Sequence, residues 1–167
     1  MELLVVVAIM AILLAVIMVS VSSSRQKGRD AKRINDMRSL SNALELYRSA
    51  NNFYPPGVAG GGAASVALSA LTPNFISTIP KDPSGTDYWY TGLTGTISCT
   101  GYHLGASMET NNSVLASDAD FVSTAPGLRC PAGSFGISGV ETGGAFSGRC
   151  RNTDPLGSLC YDVINKQ

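Results

Sequence analysis

The chain has 167 residues, with 12 Lys plus Arg against 12 Asp plus Glu, and this balance gives no bulk-charge argument for nucleic acid or an acidic surface as partner. Glycine without a three-residue period and an apolar fraction of 44% exclude collagen-like, coiled-coil and wholly disordered architectures. The totals conceal a division: up to Asn51 seven basic residues face four acidic ones, beyond it five face eight, and all eight prolines and 17 of the 18 glycines lie in the second part.

From Leu3 to Val19 the chain runs through seventeen consecutive apolar residues, the lower limit of the roughly 17 to 25 needed to span a bilayer. A buried core helix would normally be shorter. A cleaved secretory signal would carry a basic segment ahead of its apolar run, and nothing basic precedes Leu3. Glu2 stands at the mouth of this run. A carboxylate there is a functional residue by default, or it sits in the headgroup layer and complements the helix N-terminus. The cations Arg25, Lys27, Arg29, Lys32 and Arg33 follow. By the positive-inside rule they place the C-terminal side in the cytoplasm, whereas four cysteines argue for an oxidising compartment.

Between Arg25 and Asn51, Ile34, Met37, Leu40, Leu44 and Tyr47 recur at the spacing of one helix face. No proline interrupts the stretch, so both segments read as one helix of roughly 50 residues, about 75 Å long. Ser20 to Ser24 is its weakest part, because serine competes for backbone hydrogen bonds. Asn51 to Gly57, with a left-handed-tolerant Asn and a proline pair, ends the helix. Gly60 to Ala64 reads as a surface loop, and a short helical pattern from Val66 to Leu71 stops at Thr72-Pro73. After the turn cluster Ile79 to Gly85, the aromatic and β-branched segments Tyr88–Thr91 and Thr96–Leu104 predict antiparallel strands, the second extending into Gly105–Ser107. Further strands are expected around Phe135–Ile137 and Cys160–Val163.

Cys99, Cys130, Cys150 and Cys160 all fall in the second part, at spacings of 31, 20 and 10. An even count in a loop-rich external domain predicts two disulfides, with three pairings open, and zinc knuckles need shorter Cys-x-x-Cys spacings. His103, the single histidine, reads as a packed or surface residue rather than a base. No nucleophile elbow or phosphate-binding loop is present, so no enzyme activity, cofactor or specific nucleic acid is expected. Asp118 and Asp120 offer oxygen ligands of the kind calcium takes, but read first as ordinary loop acids.

The run Glu2-Leu3-Leu4-Val5-Val6-Val7-Ala8-Ile9-Met10-Ala11-Ile12-Leu13, followed by a long amphipathic helix, resembles the N-terminal segment of type IV pilins and type II secretion pseudopilins. Tyr54-Pro55 and Pro80-Lys81-Asp82-Pro83 resemble further motifs of that family. Ala11 and Val19 stand where many pilins have a helix-breaking Gly and Pro. By the family pattern Met1 falls on a variable position, so a leader and three mature residues lie upstream. The resemblance implies an α+β fold with a membrane and filament-core helix (1–24), the amphipathic half of the same helix (25–52), and a head (53–167) bearing a small antiparallel sheet and a disulfide-bonded C-terminal region. It also implies placement of the head outside the membrane. The implied function is a filament subunit, processed by a leader peptidase, stored in the inner membrane and moved by assembly machinery into a homo-oligomeric surface filament. Glu2, Leu3, Leu4, Val5, Val6, Ile9, Ile12 and Leu13 would make the subunit contacts, with Glu2 meeting a neighbour's N-terminal amine. The patch Arg25, Lys27, Arg29, Lys32 and Arg33 is expected at the base of the head, facing acidic loops of neighbours. A surface pilus is placed first and a secretion pseudopilin second. A single-pass anchored domain that never polymerises is the remaining reading.

Overall fold

The computed structural model describes residues 2–58, 62–95, 98–111, 113–117, 119, 129–130 and 159–165, with the side chains at 14–20, 116, 117 and 159 outside that description. Helix α1 spans Glu2–Asn51 as 50 uninterrupted residues, because the stretch holds no proline and only one glycine. Its C-terminus follows the expected chemistry: Asn52 turns into the left-handed region at φ 68° and donates its N–H to the Arg48 carbonyl at 2.7 Å.

The buried face of α1 is Ile34, Met37, Leu40, Ala43 and Leu44, with Tyr47 partly buried beside it. These side chains pack on a four-stranded sheet of order β3-β1-β2-β4, made of β1 (Trp89–Leu93), β2 (Gly101–Met108), β3 (Arg129–Cys130) and β4 (Leu159–Asn165). Its strand pairs are antiparallel. Along β2 the two-residue alternation turns Tyr102, Leu104, Ala106 and Met108 into the core shared with α1. Burying each such large apolar side chain contributes about 1.5–3 kcal/mol, so this shared core is what holds the second half of the helix to the sheet. The short helix α2 (Ala64–Ala67) and a 3-10 turn at Ser69–Leu71 bury Ala64, Ala67, Leu68 and Leu71 against the same core, and the peptide between Thr72 and Pro73 is cis.

The bounds of the first two strands differ from the sequence reading. The first runs from Trp89 to Leu93 rather than from Tyr88 to Thr91, and the second begins at Gly101 rather than Thr96, with Thr96 and Ile97 outside the described residues. The chain turns between them, with Thr94 at φ 48° and Gly95 at φ 129°. Cys99 is drawn out of the ladder to bond Cys130 and to accept the Tyr54 N–H at 2.9 Å. The extension into Gly105–Ser107 and a strand over Cys160–Val163 are both present. The strand expected at Phe135–Ile137, the acids Asp118 and Asp120, and Cys150 lie outside the described residues.

The disulfide joins Cys99 to Cys130, both fully buried, and Cys160 is likewise disulfide-bonded. Gly92 is the residue that makes room for the first bridge. A Cβ there would stand 2.7 Å from Cys99 Sγ and 2.9 Å from the Cys130 carbonyl oxygen. His103 is wholly buried on β2 and its Nε2 lies 2.9 Å from Asp162 Oδ2 on β4, so the lone histidine is a packed residue tying two neighbouring strands.

Candidate functional site

Two surfaces of α1 carry the functional question, and they meet near Gly28. The first is the N-terminal segment. Leu3, Leu4, Val5, Val6, Ile9, Ile12 and Leu13 are between 51% and 76% exposed. Val7 and Met10 are exposed as well, so apolar side chains project around the whole circumference of the helix. Glu2 lies exposed in the first turn, where a carboxylate complements the helix N-terminus. The structure thus brings all eight expected assembly residues onto one free-standing rod. Among the described residues no helix is long and apolar enough to cross a membrane, and the side chains at 14–20, which include the last six of the seventeen-residue run, are not among them.

The second surface starts at Arg29, where the helix is fastened to the head by an ionic clasp. Arg33, only 3% exposed, points into the protein. Its Nε and Nη2 donate to the two Asp82 carboxylate oxygens at 2.5 and 2.9 Å, a two-pronged bond, while Nη1 reaches Asp30 at 2.7 Å and Glu109 at 2.8 Å. Arg29 binds Glu109 through both carboxylate oxygens. Three carboxylates thereby surround two guanidinium groups. The excess negative charge is met by Asp30, which accepts the N–H groups of Glu109 and Thr110 at 2.9 Å each and the Thr110 hydroxyl at 2.6 Å. On the loop side, Asp82 also accepts the Ser84 N–H at 2.8 Å and its hydroxyl at 2.6 Å. A helix, the Pro80–Ser84 turn and the end of β2 are locked together at one point.

The electrostatics follow from these contacts. Burial alone would raise the Asp82 carboxyl, but Arg33 and the two Ser84 donors outweigh it and hold the group at about 2. Glu109 is held at about 2 chiefly by Arg29, with Arg33 adding to it. Burial would lower the Arg33 guanidinium, and its three carboxylate partners more than reverse that. Nearby, Tyr88 donates to Asp36 at 2.7 Å, and burial together with that carboxylate pushes the phenol well up.

The fold divides the expected basic patch. Arg25 and Lys27 are exposed; Lys32 is exposed but bonded to Asp36 at 3.2 Å and to the Lys81 carbonyl at 3.3 Å. Arg29 and Arg33 are engaged by carboxylates of their own chain, and Arg33, being buried, faces those rather than a neighbour's loops. Asp30 and Glu109 have no role in the sequence reading, and Asp82 enters it only within the Pro80–Pro83 motif, with no partner assigned. The only local signal was the Asp30/Arg33 spacing of three residues, which puts both on one helix face; the other partners are 49 and 80 residues away.

A cleft of about 800 Å³ opens beside the clasp between Arg33, Ser84, Trp89 and Met108. Among the described residues no group of three or more His, Cys, Asp or Glu is placed to hold a metal.

The chain is similar to the type II secretion system core protein G of Vibrio cholerae, with 31% identity over 106 residues, 58% of this chain and 71% of that protein. It is also similar to the protein of the same name from Pectobacterium carotovorum, 30% identical over 95 residues, covering 52% of this chain and 60% of the relative. A third, from Escherichia coli, is 27% identical over 96 residues, with 52% and 65% covered. The chain thus spans between 60% and 71% of the length of these relatives. No family model matches the chain, and no solved structure matches it.

Proposed function

We propose that this chain, which belongs to the type IV pilin and type II secretion pseudopilin family, is a structural subunit of a secretion pseudopilus. The observation that carries the proposal is the exposure of apolar side chains on every side of residues 3–13. Nine large apolar residues left in water forfeit about 1.5–3 kcal/mol each relative to burial, so the rod has two stable environments: lipid, or a packing of like rods. Before assembly the helix is held in the membrane. On assembly it is extracted and its surface is reburied against neighbouring helices, with Glu2 seeking a cationic partner because a carboxylate leaving water needs one.

The clasp gives the head its share of this work. A filament subunit must transmit force from helix to head without the two separating, and Arg33, bonded to both the Pro80–Ser84 turn and the end of β2, fastens them at the lower edge of the shared core. The secretion reading stands ahead of the surface pilus placed first on sequence grounds, because the relatives bear the name of a secretion-system component. The surface pilus remains the second reading, favoured by the Cys99–Cys130 disulfide and the glycine-rich tail.

Deletion of the gene in the source cell distinguishes these uses. Loss of protein export with surface fibres intact supports the pseudopilus. Loss of surface fibres with export intact supports the pilus. A complementing Glu2→Ala chain that inserts in the membrane and restores full function removes the assembly role of that carboxylate and favours an anchored, non-polymerising domain.

A further inference from the structure

Folding sorts the charges of α1 by sign. Between Val21 and Asn51 the acids turn inward: Asp30 and Asp36 are buried, and Glu45 is half-buried and bonded to Tyr54 and Asn165. The cations Arg25, Lys27, Lys32 and Arg38 stay exposed on the same stretch. Lys32 is bonded to Asp36, so Arg25 and Lys27 are the cations nearest the apolar run with no acidic partner among the described residues.

Their placement is specific. A helix advances about 100° per residue, so Arg25 and Lys27 stand roughly 200° apart, on opposite sides of the axis. At about 1.5 Å per residue they lie about 9 and 12 Å beyond Val19, the last residue of the run. The headgroup layer extends roughly 5–8 Å beyond the hydrocarbon on each side, and the long stems of both residues let their charges fold back into it. Directly above, Arg29 and Asp30 fasten the head, so the two cations occupy the gap between the head and the end of the apolar rod.

We propose that Arg25 and Lys27 form a two-sided cationic collar that binds the phosphates of anionic phospholipids where α1 leaves the bilayer. The collar rests on the membrane-stored state proposed above. A lipid headgroup suits it better than a neighbouring head, because among the described residues the head's exposed acid, Glu109, is already bound by Arg29 and Arg33. Electrostatic attachment of this kind holds a stored subunit at a fixed depth and is released when the helix is withdrawn, since the attraction falls off within a Debye length of about 8–10 Å.

The test is flotation of the full chain with vesicles of phosphatidylcholine alone or mixed with phosphatidylglycerol. The wild-type chain is expected on both, because the apolar run inserts, with about thirtyfold stronger partition into the anionic vesicles that high salt abolishes. The Arg25→Gln/Lys27→Gln chain is expected to keep its binding to phosphatidylcholine and to lose the anionic gain, about fivefold for each cation removed. Equal binding of the wild type to both vesicles, or a gain untouched by the double substitution, overturns the collar and leaves the membrane reading standing. If the double substitution instead abolishes self-association in phosphatidylcholine, the cations serve a second copy of the chain and the proposal fails. No association with either vesicle overturns the membrane reading and the collar with it.

Discussion

Replacing Arg33 by Met removes the central cation of the clasp while keeping most of its apolar stem. The side chain is 4% exposed, its partners Asp30 and Asp82 are 0% and 6% exposed, and all four of its ionic contacts lie between 2.5 and 2.9 Å. Removing one partner of such a buried cluster strands carboxylates away from water, a loss of about 3–5 kcal/mol. For a head of roughly a hundred residues, at about 4 °C per kcal/mol, the melting temperature should fall by about 12–20 °C. The assay is thermal unfolding of the full chain in detergent, followed by near-ultraviolet circular dichroism of the buried tyrosines. Lys32→Gln serves as the control. Its side chain is 55% exposed and Asp36 keeps the Tyr88 hydroxyl as a donor, so losing this half-exposed pair should cost no more than about 1 kcal/mol. An Arg33→Met/Asp82→Asn double variant should recover part of the loss, because one stranded charge is neutralised. An Arg33→Met chain that melts within a few degrees of wild type would refute the idea that the clasp fastens helix to head.

The same clasp predicts an acid limit. Asp82 and Glu109 titrate at about 2 in the fold, below their ordinary values of 3.8 and 4.5. Their contribution is therefore complete above about pH 4.5 and is lost as pH falls through 4 towards 2; urea midpoints should decline over that window, and Asp82→Asn should flatten the decline. At the alkaline end, burial raises the phenols of Tyr54, Tyr88 and Tyr90 and pushes Tyr102 up to about 12. Ultraviolet titration should accordingly show Tyr88, Tyr90 and Tyr102, three of the six tyrosines, still protonated at pH 11, and full ionisation there without unfolding would contradict the packing. Gly92→Ala places a methyl group 2.7 Å from Cys99 Sγ. Overpacking costs about 1–3 kcal/mol and should raise the fraction of reactive thiol after oxidative refolding. Gly28→Ala meets nothing within 4 Å, so it should stabilise α1 by about 0.5–1 kcal/mol and slow amide exchange between residues 24 and 32.

What the sequence reveals here depends on the range of the interaction. The face Ile34, Met37, Leu40, Leu44 and Tyr47 was legible because helical periodicity is local, and Asn52 could be read as the stop because left-handed backbone tolerates Asn. The strand expected around Cys160–Val163 lies within β4, although the glycine-rich tail before it offered no pattern to fix its bounds. The late start of β2 was not, since Cys99 leaves the ladder for a partner 31 residues away. The clasp was hidden for the same reason. A row of five cations reads as one exposed patch, and only the fold shows that Arg33 is turned inward by Asp82 and Glu109, leaving Arg25 and Lys27 outside. The zero net charge similarly gives no hint that Asp30 and Asp36 of the helix are buried while most of its bases are not.

If residues 2–13 are an assembly surface, they must be buried between subunits in the filament. Helical reconstruction by electron cryo-microscopy of filaments formed by the full chain with the assembly machinery of its source cell tests it most directly. The expected reconstruction has Leu3 to Leu13 buried at the filament axis against neighbouring helices, Glu2 beside a cationic group, and the heads outward with each Arg33 still bound to Asp82. Filaments held together by their heads, with the apolar rods exposed or left in the membrane, would contradict it.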